Sequence, residues 1–503
     1  MAVRRGGLVA RAGVPGVWPA GELGLLPRAE LAGLLAEAYR VTAEQAVLIG
    51  QLRTRVEELE RQARRDSSTS SRPPSSDSPY RKKSRDRSLR ERGRRRPGKQ
   101  PGEPGVTMKL ADDPDERLEF SPAWCRGCGA GLAGEPVLGE RRHQVTDICP
   151  PPPPRVTEYV AQAKACPGCG TVSEGKLPAQ VRARASYGPE VHAQAANLAC
   201  GHHVPVQRAA ELMSQLAGLT VSSGWMAGIR GKAAALVQAS GFADAVRDLL
   251  RAAPAVYADE TPARAAGALR YVHLACTQYL TLMHTGDRTA GAIDAGGVLP
   301  GYTGILVRDG YNGYTHLTDA LHAWCGAHLL RDLKEVHDTE PGVQEWAGKI
   351  ACLLLWARDA AAAARHAGQD TLDAAVLDQL VTCYRQAAKD GLYGNMFRHT
   401  ANARSARALA RRLQAFEDMI LRFATRPDLD IFTNNEAERT IRPVKVQQRS
   451  SGGCWRTIDG LADFAIIQSY LSTAAKWGHT KLDALRSLFT GHPWIPPGLA
   501  PAG

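Results

Sequence analysis

Short apolar runs that end on single carboxylates pattern the middle of the chain. Val256-Tyr257-Ala258 leads into Asp259, and Ile305-Leu306-Val307, followed by Arg308, leads into Asp309. Runs of this length, bounded by Pro254 and Gly310, predict buried strands that stop on an acid at a sheet edge. Charge left there without compensation is costly. Two such carboxylates on neighbouring strands can share divalent metal ions, the arrangement that serves in-line attack on phosphodiesters. Taken singly, each also reads as the cap of a strand or turn. Between them, Arg270–Cys276 and Tyr279–His284 are joined by Thr277-Gln278, which predicts a hairpin continuing the first strand. A helical segment over Arg288–Leu299 precedes the fourth strand. Leu321–Asp332 predicts a fifth strand passing into a helix. Cys325 and His328 stand three apart there, a spacing that suits packing and a hydrogen bond to the sheet edge, or two ligands of a metal. Ala, Leu and Arg then dominate 340–427, which predicts an all-helical insertion.

Three antiparallel strands, a crossover helix and a strand returning beside the first is the ribonuclease H-like order, and it sets Asp259 next to Asp309. Upstream, Tyr187–Leu236 is helical in pattern: Val206–Met213, a turn at Gly218, then Val221–Met226 with Ser222 placed as a cap. That is the outline of a helix-turn-helix and equally of a plain helical bundle. Nearer the start, Ala29–Gln62 is rich in helix formers, and Ile49, Leu52, Val56 and Leu59 follow a 3-4-3 spacing that predicts a short coiled coil or one amphipathic helix. No apolar run is long enough to span a bilayer, and Arg11 and Pro15 interrupt the signal-like stretch, so a soluble cytoplasmic protein is expected.

Charge changes the picture in one place. The net charge of +12 rests on 63 basic and 51 acidic residues. Arg81–Lys99 alone holds eleven Lys or Arg against Asp86 and Glu91, a balance of +9. With the preceding Ser67–Pro79 run it lacks apolar residues to bury, which predicts a disordered arm that meets a polyanion, DNA above all, or a solvated linker. Four of eleven cysteines form two pairs, Cys125-Arg126-Gly127-Cys128 and Cys166-Pro167-Gly168-Cys169, each followed by Gly. Four thiolates suit tetrahedral Zn²⁺, so a structural zinc ribbon is expected, with a redox role as the competitor.

Phe432–Pro443 packs two asparagines, two glutamates and two arginines into twelve positions. Thr433-Asn434-Asn435-Glu436 has capping-box spacing, which gives Glu436 a structural task and leaves Glu438 to face the aspartates. Taken with Pro73–Asp77, the four cysteines, Tyr187-Gly188-Pro189, Asp259-Glu260-Thr261 and Asp309-Gly310-Tyr311, this resembles the DDE transposases of the insertion sequence 66 family over nearly the whole chain. One departure lies downstream of Arg442-Pro443, where the family usually shows an Arg-Lys-Asn run and this chain reads Gln447–Gly452. The resemblance implies two-metal chemistry with Mg²⁺ (or Mn²⁺) on Asp259, Asp309 and Glu438. It further implies cleavage of element ends and transfer of their 3′ ends to target DNA on the nucleoid, by a homo-oligomer working with small accessory proteins of the same element. The alternative is a catalytically inactive DNA-binding protein or regulator derived from a transposase.

The expected organisation is a multidomain α/β chain. It comprises an amino-terminal helical or coiled-coil segment (1–65), a basic linker (66–110), a zinc-ribbon module (111–180) and a helical module (181–252). A ribonuclease H-like core (253–339 and 428–480), split by the helical insertion (340–427), and a carboxy-terminal tail (481–503) follow.

Overall fold

The structure, a computed structural model, describes residues 27–64, 108–148, 153–178, 181 and 183–498; the basic arm Arg81–Lys99, the Ser67–Pro79 run and Cys149 lie outside them. The chain divides into two units, Met1–Lys82 and Lys83–Gly503. In the first, α1 (Arg28–Arg64) is one long helix, and Ile49, Leu52 and Val56 of its expected apolar stripe are each about half exposed.

In the second unit, β1 (Ala163–Ala165) and β2 (Val172–Glu174) form a small antiparallel hairpin around the second cysteine pair. Next come α2 (Pro189–Ala196), a π-turn over Asn197–Gly201, α3 (Val206–Ala217), α4 (Ser223–Ala239) and α5 (Phe242–Ala252). The helix, turn, capped-helix outline forms as expected. Gly218 ends α3 at φ 63°, and Ser222 Oγ accepts from the Trp225 amide at 3.1 Å. Yet α4 turns Met226, Ile229, Ala233, Ala234 and Val237 into the core. Lys232 Nζ on this helix lies 2.7 Å from His192 Nε2, and Arg230 sits over the Phe464 ring. α4 packs one face into the core and leaves Ala227, Gly228, Lys232 and Ala235 exposed.

A five-stranded sheet follows, built from β3 (Ala255–Ala265), β4 (Ala268–Cys276), β5 (Thr281–Gly286), β6 (Ile305–Arg308) and β7 (Leu321–Trp324) in the order β5-β4-β3-β6-β7. β3, β4 and β5 are antiparallel; β3, β6 and β7 are parallel. The first strand does not stop on Asp259. It continues to Ala265 and turns through Ala266 (φ 50°) and Gly267 (φ 77°) into β4. Proline is tolerated at position 262 because β6 pairs β3 only over Ala255–Tyr257, so no β6 carbonyl faces the missing amide. The crossover helix α6 (Ala290–Asp294) is also shorter than the expected Arg288–Leu299, ended by the Gly296-Gly297 pair, with Gly297 at φ 70°.

Alternation along the strands divides the core. Val256, Ala258, Leu306 and Leu282 face a cluster that includes α2 to α5 and the carboxy-terminal helices. Ala255, Ile305, Val307 and Trp324 face α7 (Gly326–Thr339) and the insertion helices α8 (Glu345–His366), α9 (Ala374–Gly394), α10 (Ala401–Ala415) and α11 (Glu417–Thr425). Both faces are therefore covered, as a sheet with parallel strands requires. The chain closes with α12 (Asn435–Ser450), α13 (Ile458–Lys476) and α14 (Lys481–Phe489). Residues within 187–253 and 482–495 share one apolar cluster with the sheet. α13 lies along β5: Ser469 Oγ and Thr473 Oγ1 accept from the Met283 and Thr281 amides, and Ser472 Oγ meets Thr281 Oγ1 at 2.9 Å. Among the described residues no helix is long and apolar enough to cross a membrane.

Candidate active site

Register brings the first two acids together. The β3–β6 ladder ends at Tyr257 opposite Val307, and Asp259 and Asp309 each lie two residues beyond that pair. Because side chains alternate along strands, equal offsets put both on one face where the strands part. Each is fixed locally: Asp259 Oδ1 accepts from the Glu260 amide and Asp309 Oδ1 from the Tyr311 amide, both at 2.9 Å. Burial, then the charges of Glu260, Asp309 and Glu438, push the Asp259 carboxyl well above the usual carboxylate range.

Glu438 arrives on the first turn of α12, where its amide bonds the Asn434 carbonyl at 3.0 Å. The expected capping box is absent. The residue flanking the helix is Asn434, not Thr433, and its side chain caps nothing. Instead Asn434 Nδ2 donates to Ala258 O at 2.8 Å, one residue beyond the last β3–β6 pair, and its amide donates to Cys325 Sγ at 3.2 Å. One buried residue thus ties α12 to the strand bearing Asp259 through its side chain and to the start of α7 through its amide. A second tie runs from the Gly326 amide to Phe432 O at 2.7 Å; a Cβ on Gly326 would fall 2.5 Å from the Phe432 ring, which requires glycine there. Glu436 does have a structural task, but a different one: its Oε1 meets Lys476 Nζ at 2.9 Å, and Lys476 also holds Thr277 O.

Two further groups flank the acids. Glu260 points away from Asp259 along β3, is held by Arg288 at 2.7 Å, and accepts from Tyr314 OH at 2.9 Å; Arg288 stacks 3.9 Å over the Tyr311 ring. On the α7 side, His328 Nδ1 stands 3.6 Å and Arg331 Nη2 3.9 Å from Glu438 Oε1. Burial and the Arg331 charge hold His328 below its ordinary pKa, and burial raises the Cys325 thiol. His328 Nδ1, Glu438 Oε1 and Asn434 Oδ1 are buried without a hydrogen-bond partner. Among the described residues, Cys325, His328 and Glu438 form the group of three metal-ligating side chains whose ligand atoms all lie within 4.8 Å of one another.

The four paired cysteines lie elsewhere in the unit and outside any such group. Their two knuckles repeat one geometry. The Gly129 and Gly170 amides bond the Cys125 and Cys166 carbonyls at 3.0 and 2.8 Å, both glycines at φ 73°. Hydrogen bonds within each knuckle lower the Cys125 and Cys169 thiols.

A family model described as Transposase IS66 family matches residues 184–462, more than half of the chain, from just before α2 to the start of α13. The chain belongs to the IS66 transposase family. The match contains the whole sheet, the insertion and all three acids, and it begins after the cysteine knuckles. A second model, a family of unknown function (DUF6444), matches residues 27–109, which include α1 and the basic arm. No curated protein matches.

Sequence reasoning about this IS66-family chain missed Asn434 as the tie between acids and the Glu260–Arg288 pair beside them. The signals were present. An asparagine inside an acid-rich stretch and two adjacent acids in one strand both imply buried polar groups that must find partners.

Proposed function

We propose that the protein is a DNA transposase in which Asp259, Asp309 and Glu438 are the catalytic acids of a ribonuclease H-like core and hold Mg²⁺ (or Mn²⁺). The observation that carries this reading is the equal offset of Asp259 and Asp309 from the last β3–β6 pair, with Glu438 on the first turn of α12 and its Oε1 buried without a hydrogen-bond partner. The donors fit the ions: all three are hard carboxylate oxygens, and divalent cations would offset their mutual repulsion. When bound, such ions lend the Lewis acidity that activates an attacking oxygen and stabilises a leaving one. The chain's own residues do the rest. The Glu260 and Tyr311 amides orient the two aspartates, Asn434 fixes where α12 brings Glu438, and Arg288 neutralises Glu260 so that a fourth acid does not compete.

The substrate in this reading is double-stranded DNA, cut at the element ends and joined to a target, in the cytoplasm on chromosomal DNA. The knuckles Cys125, Cys128, Cys166 and Cys169 form a zinc ribbon, the basic arm holds phosphates, and α1 pairs with a second copy through Ile49, Leu52 and Val56. The test is Mg²⁺-dependent nicking of duplexes that carry the DNA flanking the coding region. Wild type should cut and join these; Asp259→Asn should bind them without cutting. A wild-type protein that binds such ends and never cuts them with either ion would replace this reading with that of a regulator.

A further inference from the structure

We propose that Cys325, His328 and Glu438 form a second metal site, for a soft divalent ion of the zinc class, and that filling it withdraws Glu438 from Asp259 and Asp309. Cys325 flanks the start of α7 and His328 follows one turn later, so both project toward the first turn of α12, where Glu438 sits. His328 Nδ1 and Glu438 Oε1 face each other at 3.6 Å, too far for a good hydrogen bond, and both are buried without a hydrogen-bond partner. That separation matches a tetrahedral edge. Nitrogen and oxygen ligands at zinc bond lengths stand roughly 3.4 Å apart, and sulfur stands roughly 3.6 Å from either. With all three ligand atoms already within 4.8 Å, the sulfur has to close by roughly 1 Å at most.

Chemistry separates this site from the aspartates. Thiolate and imidazole favour zinc-class ions, whereas Mg²⁺ requires oxygen ligands, so the two ion types are sorted between places that share one carboxylate. Binding releases the Cys325 proton to solvent, and the Asn434 amide, already on Sγ at 3.2 Å, supports the resulting charge. Arg331, 3.9 Å from Oε1 and partly exposed, turns outward as the ion enters. The binding claim stands on these three side chains alone; the inhibitory consequence rests on the proposed catalytic role of Glu438.

The test uses the full-length protein with Co²⁺ as the probe, comparing wild type, Cys325→Ser and His328→Gln. Both variants should bind one equivalent fewer than wild type or bind it at least tenfold more weakly, and Cys325→Ser should lose part of the sulfur-to-cobalt charge-transfer band. The knuckle cysteines contribute equally to all three proteins and cancel. In parallel, Mg²⁺-driven cleavage is titrated with Zn²⁺, each protein against its own zinc-free rate; wild type should be inhibited at concentrations that spare both variants. Should circular dichroism show Cys325→Ser unfolded, His328→Gln decides. Identical cobalt stoichiometry and spectra in wild type and the folded variants would overturn the site. Lost cobalt binding with unchanged zinc inhibition would overturn the shared carboxylate. Failure of wild type to cleave in Mg²⁺ counts against the proposed function and leaves the cobalt comparison to decide the site.

Discussion

Asn434 is the side chain whose loss should separate folding from chemistry most informatively. Its Nδ2 satisfies Ala258 O just past the end of the parallel ladder, and its amide holds Cys325 Sγ. Asn434→Ala keeps the amide but leaves a buried strand carbonyl without its donor, a loss of about 1–3 kcal/mol. Catalysis should suffer more than stability. Freed from Ala258, the first turn of α12 can drift, and a displacement of ~1 Å at a reacting group costs on the order of 10²-fold in rate. Asn434→Asp should be worse on both counts, because it removes the same donor and sets a carboxylate against a carbonyl oxygen beside Asp259. Urea unfolding of the metal-free protein measures the first effect, and single-turnover nicking of end-sequence DNA at saturating Mg²⁺ measures the second. An Asn434→Ala protein that loses the expected stability yet cuts at the wild-type rate would show that α12 is positioned by other contacts.

Glu438→Gln is expected to abolish metal-dependent cleavage while leaving DNA binding and the melting temperature close to wild type. Glu436→Gln should retain activity and lose about 1–2 kcal/mol, less than for a fully buried pair because Lys476 keeps its backbone acceptors; an inactive but folded Glu436→Gln would exchange the two roles. Cys128→Ser should release one Zn²⁺ per chain by metal analysis and unfold the knuckle module while the sheet stays folded, since a module this small depends on its ion. Protein purified without chelator and free of zinc would contradict that. Deleting Arg81–Lys99 should weaken binding to all DNA sequences alike and, if the arm neutralises ~6 phosphates, remove a slope of about −5 from log K against log salt. An unchanged slope would disconnect the arm from DNA.

How much of the site was legible depended on whether its cause was local. The pairing of Asp259 with Asp309 could be anticipated because two apolar runs of similar length each lead into an acid, and parallel register does the rest. The insertion and the passage of β7 into α7 were legible for the same reason. The reach of β3 beyond Asp259 was not, since Pro262 reads as a breaker until it is known that β6 stops pairing at Tyr257. The capping box failed on tertiary grounds. Asn434 is drawn into a bond with a carbonyl 176 positions away, which sets the helix start one residue later than Thr433 would. Likewise, the contacts of the α4 cations with His192 and Phe464 are tertiary and have no local signal.

β5 is the outer antiparallel strand of the sheet, and the amides it turns outward are satisfied by hydroxyls encoded 186 and 192 positions later, on α13. During synthesis, then, the apolar strands exist for a long interval with one side open to any extended chain, another nascent copy included. A product cut short before Ile458 keeps that side open for good. Such fragments should precipitate or be degraded, so the solubility of the sheet is set by the last part of the chain to be made.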